Sequence, residues 1–367
     1  AMSDDERKLA EEIASRQAAE AFAVCGTYDA DGGVVTFSKP ATPAATRHLA
    51  RLPGLRDRVD LVLEGSVSNE VLKALASTDT GLKNLVTLTL SSTGGESPKS
   101  PSITAEGLKA LANRDTVLKS LITLNLWCNS VTAEEIEALA AAETGLRNLT
   151  TLDISRDSSV TAGALKALAS TDTGLKNLTT LNLAGRGVTD EGLKALADKQ
   201  SGLKNLSTLN LWNTTVSDEG LKALADTDTG LQSLSTLNLA YPSVIDDARP
   251  SDEGLKALAA ADSGLKNLTT LYLSNTNVTD EGLKALAAVD SGLKNLTSLS
   301  LWGTSVTAEG LKALAAPDSG LKNLTSLNLW GTSVTADGLK ALAAADTGLK
   351  NVTTLTLYNS NVADDGL

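Results

Sequence analysis

All four tryptophans of this 367-residue chain occupy one repeated sequence position. Trp127, Trp212, Trp302 and Trp330 each follow the last leucine of an L-x-x-L-x-L run, and Tyr358 takes the same place further on. Rings in such a register do no bond-making chemistry. They bury a large area with few rotatable bonds, stack on flat groups and attract cations, which is the chemistry of recognition. The residue between the last two leucines forms a second row: Thr89, Asn125, Asp153, Asn182, Asn210, Asn238, Tyr272, Ser300, Asn328 and Thr356. One alternation upstream, every position is Thr or Ser. The rows describe a neutral polar floor with an aromatic edge, and its few charges are Asp153, Arg156 and Arg186. The candidate ligand-binding residues are therefore Trp127, Trp212, Trp302, Trp330, Tyr272, Tyr358, Asp153, Arg156, Arg186, Asn182, Asn210 and Asn328. A ring that merely covers the seam of its own repeat is the bland alternative. Against it, Ser or Ala fills the tryptophan position in five repeats.

Candidates for catalysis are sparse. Nucleophilic catalysis needs a base beside the nucleophile, and the one histidine, His48, neighbours neither Cys25 nor Cys128 in sequence. No His/Cys spacing suits a metal. Gly185-Arg186-Gly187 lacks the further glycines and the lysine of a phosphate loop. Asp246-Asp247 have no evident partner acid, and the D-x-D-G wording at 29–32 lacks the remaining calcium ligands. The expectation is a chain without catalytic residues, metal or cofactor.

The elements that hold these rows are copies of one unit. GLKNLTTLYL at 264–273 returns as GLKNLTSLSL at 292–301 and GLKNLTSLNL at 320–329, a shift of 28 residues each time. Leu299, Ser300 and Leu301 alternate as in a short strand with its leucines on one side. Thr307-Ala308-Glu309-Gly310 reads as a helix entry, with a capping hydroxyl and a carboxylate near the positive end of the dipole. Leu311, Leu314 and Ala315 then share one helical face, and Lys312 points to water. Neither side of the unit can bury its leucines alone, so neighbours must stack.

With its L-x-x-L-x-L runs and T-x-V-T-D-E-G-L wording, the chain resembles leucine-rich repeat proteins of the long, helix-containing type, similar to the ribonuclease-inhibitor class. The wording also resembles repeats of planctomycete and related bacterial proteins. The resemblance covers residues from about Leu61 to the C-terminus. It implies an α/β solenoid (horseshoe) with a parallel concave sheet and helices on the convex side, about ten regular repeats, and degenerate repeats before them. It also implies a binding scaffold. The usual Asn of such repeats stands only at Asn129. Elsewhere the position is mostly Thr (Thr93, Thr214, Thr276, Thr304 and Thr332), predicting a hydroxyl ladder in place of an asparagine ladder.

The net charge of −12 argues against nucleic acid, which needs basic side chains clustered on one face. Here lysines alternate with acids, as on a solvated outer face. No apolar run approaches the roughly 20 residues that cross a bilayer. Two distant cysteines leave the compartment undecided, and so does Ala1 before Met2, which reads as a cloning remnant and leaves a removed leader open. Seven of the turns that lead into the strands read N-L-T, N-L-S or N-V-T, from Asn148 to Asn351; these formal sequons arise from the repeat wording and read as structural.

Residues 1–33 read as an N-terminal helical cap, 34–84 as degenerate repeats, and 85–367 as regular repeats with the last one incomplete. Extra residues at Gly94–Pro101, Arg156–Ser159 and Tyr241–Pro250 all fall between strand and helix, so they project from one rim. The chain stops at Leu367 where a helix should begin, which suggests that the natural protein continues or that this edge packs on another copy. The function read from all this is non-enzymatic recognition of a protein or peptide on the aromatic-lined face. A glycan on the same face, or assembly through the C-terminal edge, are the alternatives.

Overall fold

The computed structural model describes residues 26–29, 34–37, 39, 41–49, 59–65, 67–77, 82–91, 103–127, 131–156, 160–242, 249–344 and 346–358. They form two compact units. The first is Ala1–Val160 with Asp172–Leu178, and the second is Thr161–Thr171 with Thr179–Leu367. The N-terminal helix, the calcium-like turn, both cysteines and most of the three rim insertions lie outside the described residues.

In the first unit, β1 (Gly26–Asp29) pairs antiparallel with β2 (Val34–Phe37). Then β3 (Val59–Glu64), β4 (Leu85–Ser91), β5 (Thr123–Asn125) and β6 (Thr151–Asp153) follow in parallel register. Helices α1 (Pro43–His48), α2 (Asn69–Ala76), α3 (Ala105–Ala112) and α4 (Ala133–Ala140) connect them. In the second unit α5 (Ala162–Leu168) comes first. Strands β7 (Thr180–Asn182), β8 (Thr208–Asn210), β9 (Thr236–Asn238), β10 (Thr270–Tyr272), β11 (Ser298–Ser300), β12 (Ser326–Asn328) and β13 (Thr354–Thr356) pair in parallel order. They alternate with α6 (Asp190–Ala197), α7 (Asp218–Ala225), α8 (Asp252–Ala259), α9 (Asp280–Ala287), α10 (Ala308–Ala315) and α11 (Ala336–Leu342). Each unit is thus a leucine-rich solenoid of parallel strands and helices, as the alternating pattern predicts.

Leucine dominates the core, with valine and alanine beside it. Leu293, Leu296, Leu301, Leu311 and Leu314 of one repeat are wholly buried, and each has counterparts in neighbouring repeats. The outer helical face carries i,i+3 ion pairs such as Lys284–Glu281 at 2.6 Å and Lys256–Glu253 at 2.8 Å. The hydrogen bond to Glu281 raises the pKa of Lys284, and both groups stay in water. Exposed pairs of this kind contribute little to stability.

What locks one repeat to the next is polar. The aspartate of the T-D-E-G wording opens its own helix but caps the following one. Asp252 Oδ1 accepts from the backbone N–H groups of Thr279 (2.8 Å) and Gly282 (3.0 Å), and its Oδ2 accepts from the Thr279 hydroxyl (2.6 Å). Asp190, Asp218 and Asp280 do the same for Ser217, Ser251 and Thr307. The glycine is there to admit the carboxylate: a Cβ on Gly282 would lie 2.6 Å from Asp252 Oδ1. Where Ala308 replaces the aspartate, α11 has no side-chain cap.

Two further ladders run between repeats. The strand-entry hydroxyls of Ser207, Ser235, Thr269, Thr297, Thr325 and Thr353 each donate to the carbonyl of the equivalent residue one repeat back, from Thr179 to Thr325. The sequon asparagines do likewise through Nδ2, as in Asn295 to Lys266 O at 2.8 Å and Asn323 to Lys294 O at 3.0 Å. That is the structural role of the N-x-S/T wording.

The hydroxyl ladder expected at Thr214, Thr276, Thr304 and Thr332 is absent. Each of these hydroxyls turns back on its own repeat and donates to the carbonyl three residues earlier, Thr304 to Leu301 O at 2.6 Å. These hydroxyls are spent within their own repeat, and the ladder between repeats runs through the strand-entry hydroxyls instead.

Replacing Asp252 by Ala removes three hydrogen bonds and should destabilise the chain by about 2 kcal/mol. Urea unfolding would show it as a lowered midpoint, and hydrogen exchange should quicken first at the start of α9. Ala308→Asp should have the opposite sign, because it restores the missing cap of α11.

Candidate functional site

The strand alternation that buries leucines turns the other residues onto the open sheet face, away from the helices. Trp302, Trp330 and Tyr358 meet there. The two indoles stack with centroids 4.9 Å apart and planes 17° from parallel. Tyr358 meets Trp330 edge-on at 5.4 Å and 84°. Both indoles remain 37% exposed and Tyr358 is 73% exposed, so the group is a surface block rather than core.

Backbone geometry fixes the row. The residue after each ring is in the left-handed region: Gly303 has φ +66° and Gly331 φ +65°. Gly303 has a second reason to be glycine, because a Cβ there would fall 2.1 Å from Asn275 Oδ1. In this conformation Gly303 N–H donates to Trp330 O (2.8 Å) and Gly331 N–H to Tyr358 O (3.0 Å). Each aromatic residue is therefore tied to the repeat before it through its own carbonyl.

Trp127 belongs to the first unit and is paired differently. The Arg156 guanidinium lies over its ring, 5.0 Å from the centroid. Arg156 holds φ +59°, an uncommon conformation for a residue with a long side chain. Asp153 is nearby in sequence, and its Oδ1 accepts from Ser155 N–H at 2.8 Å. Trp127 and Arg156 are thus brought together as a cation–π pair. Arg186 lies in the second unit as an exposed residue, so the expected Asp153/Arg156/Arg186 cluster divides between the two units.

The remaining predicted residues lie on the second unit. Trp212 is half-buried and its carbonyl accepts from Gly185 N–H at 2.9 Å. Tyr272 is 40% exposed on β10. Asn182, Asn210 and Asn328 share one orientation: each Oδ1 accepts the backbone N–H two residues on, at 3.2, 3.0 and 3.0 Å. Asn238 does the same with Ala240 N–H at 3.0 Å. Between Tyr272 and Trp302 the floor dips to Ser274 and Ser300, whose hydroxyls bond one another at 3.1 Å.

A buried node at the base of the third insertion was not visible in the sequence. Arg249 is 5% exposed, lies 4.8 Å over the Tyr241 ring, and donates through Nη1 to Asn275 O at 2.7 Å. Asn275 Nδ2 in turn donates to Tyr241 O at 2.8 Å. This node holds the strand-to-helix turns of two repeats together beside the aromatic block. The signal that could have found it is an arginine in an insertion that opens with a tyrosine.

Among the described residues no group of His, Cys, Asp and Glu could hold a metal, and no helix is long and apolar enough to cross a membrane. Five segments, 174–197, 202–225, 264–287, 292–315 and 320–343, match the family described as Leucine Rich repeat. These segments are leucine-rich repeats, and a fold built of them suggests in general a scaffold for protein–protein interaction. No curated protein sequence matches it. Among solved structures it is similar in fold to an internalin (inlF) from Listeria monocytogenes str. 4b F2365. Identity is 19%, coverage is 88% of this chain and 90% of that one, and the TM-score is 0.44.

Stacked indoles couple their transitions, so the protein should show an exciton couplet in circular dichroism. Trp330→Phe should abolish the couplet and Trp127→Phe should leave it in place, which the far-ultraviolet spectra of the two variants would decide.

Proposed function

We propose that the chain is a non-enzymatic recognition scaffold that binds a protein or peptide on the open sheet face of its second unit, with Trp302, Trp330 and Tyr358 as the anchor. The observation that carries this reading is the exposed aromatic block. Three large rings held in contact but over a third exposed bury one another only in part, and a partner that covers them gains the rest. Aromatic anchors of this kind dominate binding energy at interfaces. The rings are also pre-ordered by stacking and by their carbonyl hydrogen bonds, which lowers the entropic cost of binding.

Trp127 with Arg156 makes a second contact zone on the first unit. The guanidinium there is held over the indole, where it is placed to meet a carboxylate of a partner while the ring edge meets an apolar side chain.

The test is capture of partners from the source cell by the wild-type chain and by Trp302→Ala/Trp330→Ala, followed by affinity measurement on each purified partner. The double variant should lose about thirtyfold or more, the effect of removing a hot spot of about 2 kcal/mol. Arg156→Ala should weaken only partners whose binding falls with salt. Unchanged affinity of every partner for the double variant would remove the aromatic anchor.

A further inference from the structure

The asparagine row of the second unit is polarised. In Asn210, Asn238 and Asn328 the acceptor oxygen is taken up by a backbone N–H of the same repeat, at 3.0 Å in each case. The amide is thereby held in one orientation, with its oxygen down against the turn and its NH2 group facing out. The floor therefore offers fixed hydrogen-bond donors at these positions, with one lone pair of each amide oxygen already engaged. These side chains are half-buried, so the donors are fixed rather than solvated and mobile.

Over β8 to β13 the outward rows carry no charge. From β8 to β13 the three outward rows hold only Thr, Ser, Asn, Ala, Trp and Tyr, in a chain whose composition is 21% charged. A ligand that suits it is uncharged and rich in acceptors. The rings narrow the choice further. Trp302 and Trp330 spend their facing surfaces on each other, and Tyr358 turns its contact on Trp330. The block stays over a third exposed, and an aliphatic or proline side chain can pack along its edge.

Resting on the reading of this face as the binding surface, we infer that its occupant is an extended, uncharged peptide segment lying across the strands, its main-chain carbonyl oxygens accepting from Asn238 and Asn328 Nδ2 and an apolar side chain set against Trp302–Trp330–Tyr358. The spacing supports it. Strands lie about 4.8 Å apart, which puts Asn238 and Asn328, three strands distant, about 14 Å from one another. Carbonyls on one side of an extended chain recur about every 7 Å, so the two amides are in step with alternate carbonyls. The whole stretch from β8 to β13 is about 24 Å and would hold about seven residues. Asn210 sits one strand before Asn238 and would serve the end of the segment.

The probes are a phage-displayed library of random dodecapeptides, panned on the whole chain, and the neutral oligosaccharides chitohexaose and cellohexaose. Selected peptides, made synthetically, are expected to be free of Lys, Arg, Asp and Glu at their core and to carry a proline or aliphatic residue. Asn238→Asp/Asn328→Asp keeps the oxygen that holds the turn but replaces each donor by an acceptor. Asn238→Ala/Asn328→Ala removes the donors without adding charge. Both should bind the selected peptides at least tenfold more weakly, with circular dichroism and thermal unfolding of the Asp variant matching the wild type. Loss in Trp302→Ala/Trp330→Ala but in neither asparagine variant would overturn the donor row and leave the aromatic anchor standing. Loss in none of the variants would overturn both. Failure to select any peptide, selection of charged cores, or quenching of tryptophan fluorescence by either oligosaccharide without peptide binding would overturn the peptide as occupant.

Discussion

A single repeat of this chain leaves donors and acceptors that only its neighbour can satisfy, and everything else in the molecule follows from that. The carboxylate of Asp252 is spent on the helix of the next repeat, and so are those of Asp190, Asp218 and Asp280. Hydroxyls at the strand entry and amides in the G-L-K-N turn reach back the other way. Leucines fill the space between, but apolar contact is tolerant of sliding. Directional bonds to fixed partners are not, and they set the register that lines up one side chain per repeat.

Because the register is exact in chain position, variation within it becomes a surface pattern. At the position after the last strand leucine, Ala240 and Ser274 are small and buried, whereas Trp302 and Trp330 stand over a third exposed. What they decide is the relief of the open face: a dip at Ser274 and Ser300, then a ridge of rings. The helical side shows no comparable relief. Its Lys–Glu pairs recur unchanged from Lys194 to Lys312, as expected where solvent is the only neighbour.

Much of the fold was legible in the sequence because a period of 28 residues leaves few architectures open. The strand alternation at Leu299–Leu301, the helix entry at Thr307 and the exposed Lys312 stand where the pattern put them. The alignment of Trp302, Trp330 and Tyr358 followed from the same arithmetic. Contacts that cross repeats were less legible. Asp252 reads as an ordinary first-turn acid until the next helix is beside it. Thr276 reads as a ladder residue because its position is one, yet its hydroxyl donates to Leu273 O of its own repeat. The Arg156–Trp127 pair depends on a left-handed φ that nothing in the wording announces, and the Arg249–Tyr241–Asn275 node joins an insertion to a turn 26 residues away.

The central claim is that one sequence register becomes one exposed row of rings, and fluorine NMR of the protein labelled with 5-fluorotryptophan tests it most directly. The account predicts four indole resonances that all shift between H2O and D2O, with the Trp302 signal moving when Trp330 is changed to Phe and the Trp127 signal staying put. Resonances blind to the solvent, or a Trp302 signal indifferent to its neighbour, would contradict it.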